Sequence, residues 1–323
     1  TKTRHHPRQK RMSLAFFKAL SDETRLRLVH ILLHYELSVN ELVRILDMGQ
    51  SRVSRHLKIL TEAGLLCSRR DGLWVFYAAT PDGQAHDFLQ AITPFMPADA
   101  AMRADMGMAA HILEERARKT RQFFNAIAED WDELNHEVLG DFDLPGRVAA
   151  AVPQQCRTAV DLGCGTGAVL ARLLPRAESV IGVDGSARML EICRRRLEGE
   201  GVPEPRYSLR IGELDHLPLR DHEADFACIN LVLHHLSEPA GALAEAHRIL
   251  APGGRLLVAD FLRHNDETMR SRYGDRWLGF ALESLTEQLE SAGFVLTGNE
   301  QSTVGRQLQL VLLTAEARAA RPI

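Results

Sequence analysis

Two acids and three glycines in this sequence have the spacing of a site for a ligand that contains a ribose. The apolar run that includes Asp161 leads into Gly163, Gly165 and Gly167 at alternate positions. Such glycines let a ligand approach backbone N–H groups at the start of a helix. A second apolar run ends at Asp184, one βαβ step later, where an acid can accept both ribose hydroxyls. The Gly-x-Gly-x-Gly spacing differs from the dinucleotide-binding pattern.

Three further motifs follow this loop in order. Residues 212–219 read Gly-Glu-Leu-Asp-His-Leu-Pro-Leu. Residues 225–236 contain an apolar run that leads into a His-His pair, and residues 252–261 lead from Pro-Gly-Gly into another apolar run. Together these motifs resemble the class I S-adenosylmethionine methyltransferases over roughly residues 120–323. The resemblance implies an α/β, doubly wound, Rossmann-like sheet of seven strands with an antiparallel final strand.

The resemblance also implies the contacts of the ligand, which is S-adenosylhomocysteine or S-adenosylmethionine. Asp184 would hold the ribose hydroxyls, Glu213 would face the adenine amino group, and Asn230 would lie below the sulfur. Asp161 would orient either the glycine loop or the amino group of the ligand. The full set of expected contacts is Asp161, Gly163, Cys164, Gly165, Gly167, Asp184, Gly185, Met189, Gly212, Glu213, Leu214, Asn230 and Leu231.

The acceptor side of a methyl-transfer reaction is less defined in the sequence. His234 and His235 follow the fourth strand, where they could supply a base or could cap and line the next helix. Because the cofactor itself activates the methyl group, a pocket for it does not establish turnover. The catalytic residues therefore stay unassigned.

The five cysteines are odd in number and lack paired close spacing, which indicates reduced thiols and a cytoplasmic protein. Methylation of arsenic would need several thiolates around one pocket, so the scatter of the cysteines along the sequence argues against arsenic as the methyl acceptor. No apolar run approaches the roughly 18–20 residues of a membrane span, and the N-terminal region lacks the apolar core of a signal peptide.

Charge is distributed unevenly along the chain. Residues 1–70 carry 14 Lys and Arg against 6 Asp and Glu, whereas the remainder carries 25 and 37. A basic front on an acidic body indicates that only the front meets a polyanion, although an uneven solvated surface is an alternative. Residues 1–11 are expected to be a disordered basic tail. The adjacent His5 and His6 could bind a metal, but we expect them to belong to this flexible tail.

Two short helices and a hairpin are predicted in this basic front. Ser38 and Glu41 predict a capping box that opens a short helix, and a second helix runs from about Ser51 to Ala63 and ends at Gly64. This is the helix-turn-helix pattern. Two alternating runs, residues 65–70 and 73–78, flank Asp-Gly and predict a hairpin. The second helix carries an apolar stripe and an opposite polar face, which consists of Gln50, Ser51, Arg52, Ser54, Arg55 and Lys58.

Residues 17–77 resemble the ArsR family of dimeric winged-helix repressors. The resemblance implies a homodimer that places the second helix in the major groove of double-stranded DNA, with its basic residues on bases or phosphates. Arg69 and Arg70, near the hairpin tip, would contact phosphate, and His56 would either touch DNA or pack. Ser38 and Asn40 occupy the positions of the cysteines in the family's metal sensors, so no metal is expected.

These features predict an α+β winged helix-turn-helix domain over 1–96, a helical linker over 97–122 and a ligand-binding domain over 123–323. Two functions remain open. The first is a repressor that responds to the ligand, because the whole arrangement resembles the S-adenosylhomocysteine-responsive regulators of methionine metabolism. The second is an active small-molecule methyltransferase with an autoregulatory DNA-binding domain. In either case the partners are operator DNA and a small molecule, with no membrane.

Overall fold

The computed structural model of the protein describes residues 7–71, 74–96 and 99–318. The predictions for residues 1–6, which include His5 and His6, and for the Gly72 position of the hairpin turn lie outside the described residues. The chain divides into two compact units, of which one ends at Arg116 and the other begins at Ala117.

The first unit is a winged helix-turn-helix of mixed α and β structure, as the sequence predicts. Its three-stranded antiparallel sheet has the order β1-β3-β2. The buried core includes Leu28, Val53, Leu57 and Leu60, which are fully inaccessible. The elements are α1 (Pro7–Leu20), α2 (Glu23–Leu32), β1 (Leu37–Ser38), α3 (Val39–Leu46), α4 (Gln50–Glu62), β2 (Leu66–Asp71), β3 (Trp74–Ala79), α5 (Gly83–Ile92) and the larger part of α6 (Ala100–Ile127).

Local capping explains where these helices begin and end. The Glu41 carboxylate accepts hydrogen bonds from the Ser38 backbone N–H and hydroxyl, at 2.8 and 2.7 Å, so the predicted capping box is present. Gly64 has φ +82° and follows the last turn of α4, as a left-handed C-cap requires. One expectation is wrong: α1 begins at Pro7, so residues 7–11 are helical rather than part of a disordered tail. Proline is well suited to the first turn of a helix.

The second unit is a seven-stranded sheet of order β6-β5-β4-β7-β8-β10-β9. Strands β6, β5, β4, β7 and β8 are parallel, and β10 is antiparallel to both β8 and β9. The predicted Rossmann-like sheet is therefore confirmed. The elements are α7 (Trp131–Leu139), α8 (Leu144–Ala150), β4 (Thr158–Leu162), α9 (Ala168–Leu173), β5 (Ser179–Asp184), α10 (Ala187–Gly199), β6 (Tyr207–Ile211), β7 (Ala224–Asn230), α11 (Pro239–Ile249), β8 (Leu250–Phe261), α12 (Leu282–Ser291), β9 (Phe294–Thr303) and β10 (Gln309–Ala317).

The register of the central strands brings their carboxyl ends to one edge of the sheet. Asp161 on β4 lies opposite Gly182 on β5 and Cys228 on β7. Ligands of open α/β sheets bind outside these carboxyl ends, at the point where the strand order reverses. Among the described residues, no helix is long and apolar enough to cross a membrane.

Candidate functional site

The glycine loop, residues 163–167, connects β4 to α9 at the carboxyl edge of the sheet. Its backbone is tied to β5 because the N–H groups of Gly163 and Cys164 both donate to the Val183 carbonyl, at 2.8 and 3.0 Å. Gly163 has φ +78°, and a Cβ atom added there would lie 2.5 Å from Cγ2 of Val232. Since a side chain at this position is both strained and crowded, the loop requires glycine there.

The Asp184 carboxylate is fixed where the loop meets the end of β5. Its Oδ2 accepts the Gly165 N–H at 2.9 Å, and its Oδ1 accepts the Ser186 N–H at 2.7 Å. Each oxygen keeps a further lone pair, so the carboxylate can still accept two ribose hydroxyls. Burial raises the pKa of Asp184, and the two backbone hydrogen bonds oppose that shift.

Asp161 lies behind the loop and is only 2% exposed. Its Oδ1 accepts hydrogen bonds from the Asn230 amide at 3.2 Å and from the Cys228 thiol at 3.3 Å. Burial raises the pKa of Asp161 to about 7. The amide oxygen of Asn230 is buried and has no hydrogen-bond partner. Two of the expected ligand contacts, Asp161 and Asn230, are thus hydrogen-bonded to each other, and the amide oxygen of Asn230 remains available as an acceptor.

Glu213 lies beside the Asp184–Gly185 turn. A Cβ atom added to Gly185 would be 3.8 Å from its Oε1. The same oxygen forms an ion pair with Arg121 of α6, and both side chains are partly exposed. Sequence reasoning missed Arg121, which it placed in the linker, because no local pattern relates residues 92 positions apart.

An aromatic segment faces the glycine loop from α6 and α7. The Phe124 and Trp131 rings meet edge to face, with centroids 5.3 Å apart. A Cβ atom added to Gly165 would lie 3.4 Å from Nε1 of Trp131. The Thr166 hydroxyl donates to Asp132 Oδ1 at 2.5 Å, which fastens this segment to the loop. We call the Phe124 and Trp131 rings the aromatic roof, because they lie next to the expected ligand loop.

The other expected contacts surround the same edge. The Gly212 N–H donates to the Asp184 carbonyl at 3.1 Å. Leu231 has a left-handed φ of +56°, which is uncommon for a leucine and is typical of residues held at functional sites. Gly167 packs against Cys193 of α10, and a Cβ atom added to Gly167 would overlap the Cys193 side chain. The side chains that are buried here are Cys164, Met189, Leu214 and Leu231.

A buried polar cluster follows β7 and β8 at the same edge of the sheet. Nδ1 of His234 lies 2.7 Å from Asp260, and its Nε2 lies 3.6 Å from Asp275. Nδ1 of His235 lies 3.1 Å from the Gly274 carbonyl, and the two imidazole rings have centroids 4.0 Å apart. His235 also contacts the Phe124 ring at 4.8 Å, so the cluster adjoins the aromatic roof.

The ionisation of this cluster follows from its burial and its charges. Burial disfavours the imidazolium of His234, but the carboxylates of Asp260 and Asp275 outweigh it and raise the pKa of His234 to about 9. Burial raises the pKa of Asp275 to about 6. Burial and the neighbouring imidazole hold the pKa of His235 well below its usual value. Sequence reasoning found the histidines but missed both acids, which belong to other segments.

The candidate DNA-binding face is the polar side of α4. All six expected side chains on it are exposed, whereas Val53, Leu57 and Leu60 on the opposite side are fully buried. The exposed residues are Gln50, Ser51, Arg52, Ser54, Arg55 and Lys58. This helix can therefore present two arginines and a lysine to a polyanion without disturbing the core.

The three other residues of this unit that were expected to lie near DNA are Arg69, Arg70 and His56. Nε and Nη2 of Arg69 donate to the two carboxylate oxygens of Glu36, at 3.2 and 3.3 Å, so this guanidinium already has an anionic partner. Arg70 is exposed. His56 is 8% exposed and lies 3.7 Å from Asp22, which agrees with the packing role that the sequence left open.

The cysteines do not gather around one pocket. Cys67 is exposed on β2 of the first unit, and the other four are buried in the second unit. In the ranges 7–71, 74–96 and 99–318, the one group of three metal-binding side chains contains histidine and aspartate but no cysteine. The expectation that arsenic is not the acceptor remains a prediction.

Comparison with known proteins identifies both units. Residues 160–258 match the model of the methyltransferase domain, and residues 22–68 match that of the bacterial regulatory proteins of the ArsR family. An uncharacterized 37.1 kDa protein in transposon TN4556 of Streptomyces fradiae is 42% identical over 106 residues, which are 32% of this chain and 30% of that protein. The chain thus spans less than a third of that relative's length.

Two further comparisons concern the second unit. The 2-phytyl-1,4-naphtoquinone methyltransferase of a Nostoc strain is 32% identical over 161 residues, which are 47% of this chain and 69% of that enzyme. The crystal structure of the [4+2]-cyclase SpnF superposes with a TM-score of 0.55 at 20% identity, over 63% of this chain and 97% of that one, which shows the shared fold. The chain belongs to the class I S-adenosylmethionine-dependent methyltransferase family and carries an ArsR-family helix-turn-helix at residues 22–68.

Proposed function

We propose that this chain is an ArsR-family transcriptional repressor whose methyltransferase-like domain binds S-adenosylhomocysteine or S-adenosylmethionine as an effector. The genes it controls would belong to the methionine and S-adenosylmethionine cycle. The observation that carries the proposal is the presence, in one chain, of an exposed basic helix α4 and a ligand loop anchored by Asp184. The proposed parts are the DNA-binding domain 1–96, the linker 97–122 and the effector domain 123–323.

A homodimer is part of this proposal. Exposed large apolar side chains mark candidate interfaces of a soluble unit. In the first unit Phe17 is 61% exposed and Phe95 is 85% exposed, which supports a second copy of the chain as the partner. Two copies would present two α4 helices to the half-sites of one operator.

The effector changes DNA binding only if it binds the DNA-competent and incompetent states with different affinity. A 100-fold change in DNA affinity requires about 2.7 kcal/mol of coupling free energy. Helix α6, Ala100–Ile127, is the segment of the chain that contains the boundary between the two units. We therefore propose α6 as the element that transmits the coupling.

The test is DNA binding by fluorescence anisotropy at fixed salt, with a labelled duplex taken from the region upstream of the chain's own gene. The titration is repeated with each ligand form. We expect one form to shift the affinity, and we expect Asp184→Ala to abolish the shift while DNA binding stays intact. The matched control is Asp215→Ala, because Asp215 is an exposed acid of the Gly212–Leu219 segment. A ligand response that persists in Asp184→Ala would contradict the proposed mechanism.

A second candidate function is methyl transfer to a small molecule. It is favoured by the quinone methyltransferase named above and by the buried His234 cluster, which lies beside the aromatic roof. A fold shared with a cyclase does not by itself establish this activity. Incubation with S-adenosylmethionine and a reduced 1,4-naphthoquinone, followed by mass spectrometry, tests it. A product in which one methyl group has replaced a hydrogen supports the enzyme, and ligand-dependent DNA binding without any product supports the repressor.

A further inference from the structure

Three potential ligand atoms converge in the polar cluster behind the aromatic roof. One nitrogen each of His234 and His235 and one carboxylate oxygen of Asp275 lie within 4.8 Å of one another. The three side chains belong to residues that are 2%, 6% and 4% exposed. Two segments supply them, one after β7 and the other after β8.

The remaining nitrogen of each imidazole is already held by a fixed acceptor. Nδ1 of His234 is 2.7 Å from the Asp260 carboxylate, and Nδ1 of His235 is 3.1 Å from the Gly274 carbonyl. Histidines that bind metals almost always donate their second N–H to a carboxylate or a backbone carbonyl, which fixes the ring and its tautomer. The second nitrogen of His234, Nε2, lies 3.6 Å from Asp275, and that of His235 has no hydrogen-bond partner. In neutral form both Nε2 atoms are acceptors.

The atoms that face this place lack hydrogen-bond partners. Nε2 of His235 and both carboxylate oxygens of Asp275 are buried without any hydrogen bond. The approach of His234 Nε2 to Asp275, 3.6 Å, is beyond hydrogen-bond distance. A buried polar group without a partner is costly, and a buried carboxylate is retained when it is paired or coordinates a metal.

We propose that His234, His235 and Asp275 bind one divalent transition-metal ion. Two imidazoles and one carboxylate suit zinc and its first-row neighbours rather than magnesium or calcium, which prefer oxygen ligands. Each bond to zinc is about 2.1 Å, so two ligands of one ion lie at most about 4.2 Å apart. In a tetrahedral site the ligand atoms lie about 3.4 Å apart, so a pair at the 4.8 Å limit would close by about 1.4 Å on binding the ion.

Three protein ligands leave at least one coordination position for water or for an anionic oxygen of a small molecule. The ring of His235 contacts Phe124 of the aromatic roof, so the ion would lie next to the expected ligand loop rather than in it. This site goes beyond the proposed repressor function and does not depend on it. It is also unrelated to the metal-sensor positions of the first unit, which hold Ser38 and Asn40.

The experiment uses the full chain with His5→Ala and His6→Ala, which removes an adjacent histidine pair elsewhere in the sequence. The protein is stripped with a chelator and titrated with Co²⁺, and its visible d–d absorption and metal content are measured. We expect one Co²⁺ per chain, displaced by Zn²⁺ and not by Mg²⁺. Asp260→Asn should lower the affinity about 10- to 100-fold, because Asp260 orients His234 and is not itself one of the three ligands.

Asp275→Asn and His235→Gln should each lower the affinity further and remove the d–d band. His216→Ala is the matched control, because the side chain of His216 is 88% exposed and lies outside the cluster. Circular dichroism of the metal-free variants separates loss of the site from loss of the fold. Absence of Co²⁺ uptake by the parent chain, or an unchanged band in folded Asp275→Asn, would overturn the metal site and leave an imidazolium between two carboxylates.

Discussion

The clearest physical consequence of the ligand site concerns the buried acid behind the glycine loop. Asp161 is 2% exposed, and its Oδ1 accepts hydrogen bonds only from neutral groups, the Asn230 amide and the Cys228 thiol. The substitution Asp161→Asn keeps the size of the side chain and removes its titration. We therefore expect this variant to change how the stability of the second unit depends on pH.

The sign and size of the change follow from linkage. Because burial raises the pKa of Asp161, the folded state favours the protonated carboxyl, and the resulting stability is complete below the unfolded pKa. The contribution is lost as the pH rises from about 4 through about 7. At 1.36 kcal/mol per pKa unit, the rise from 3.8 to about 7 corresponds to about 4 kcal/mol.

The assay is urea unfolding of the parent chain and of Asp161→Asn at several pH values between 4 and 8. Other groups titrate in the same range, so the measured quantity is the difference between the two proteins. We expect the variant to gain stability relative to the parent as the pH rises, by up to about 4 kcal/mol. If the free energies of unfolding of the two proteins change with pH in parallel, the pKa of Asp161 is not raised by burial.

The same variant separates the two roles that the sequence left open for Asp161. If the carboxylate contacts the amino group of the ligand, the bound cation favours the ionised acid. The affinity for S-adenosylhomocysteine should then increase with increasing pH, by up to tenfold per pH unit, until the pH reaches about 7. Asp161→Asn should remove this slope. If Asp161 only orients the loop, calorimetry should show the same slope in both proteins.

Two further predictions concern the first unit. Arg55→Ala should weaken operator binding by about 1–3 kcal/mol in an anisotropy titration, because Arg55 is exposed on the polar face of α4, whereas Lys18→Ala on α1 should leave it unchanged; equal losses in both would contradict a specific role. Ser38→Ala should lower the free energy of unfolding by about 1 kcal/mol, because it removes a hydroxyl that donates to Glu41 at 2.7 Å; an effect no larger than that of the exposed Ser54→Ala would count against the cap.

Much of the fold could be predicted because its signals are local. Strands β4 and β7 are nearly continuous apolar runs, as expected of parallel strands buried on both faces. The capping box at Ser38 and the stripe formed by Val53, Leu57 and Leu60 are both contained within single helices. The two-residue strand β1, by contrast, was not predicted, because so short a segment has no periodicity to recognise.

The contacts that build the site could be predicted only in part, because they join distant segments. The glycine loop and Asp184 were found from spacing, but the Arg121–Glu213 pair joins residues 92 positions apart. His234, which follows β7, pairs with Asp260 on β8, and the two residues are 26 positions apart. A single sequence contains no pattern that relates such residues, so their partners become apparent only in the folded chain.

The buried acceptor-side cluster bears directly on what the second unit does. The substitution Asp275→Asn keeps the size of the side chain and removes the carboxylate that lies 3.6 Å from Nε2 of His234. If the folded Asp275→Asn variant still responds fully to the ligand, the cluster serves a function separate from binding of the ligand at the glycine loop. Loss of the ligand response in a folded Asp275→Asn would instead mean that the cluster and the glycine loop act on one bound state.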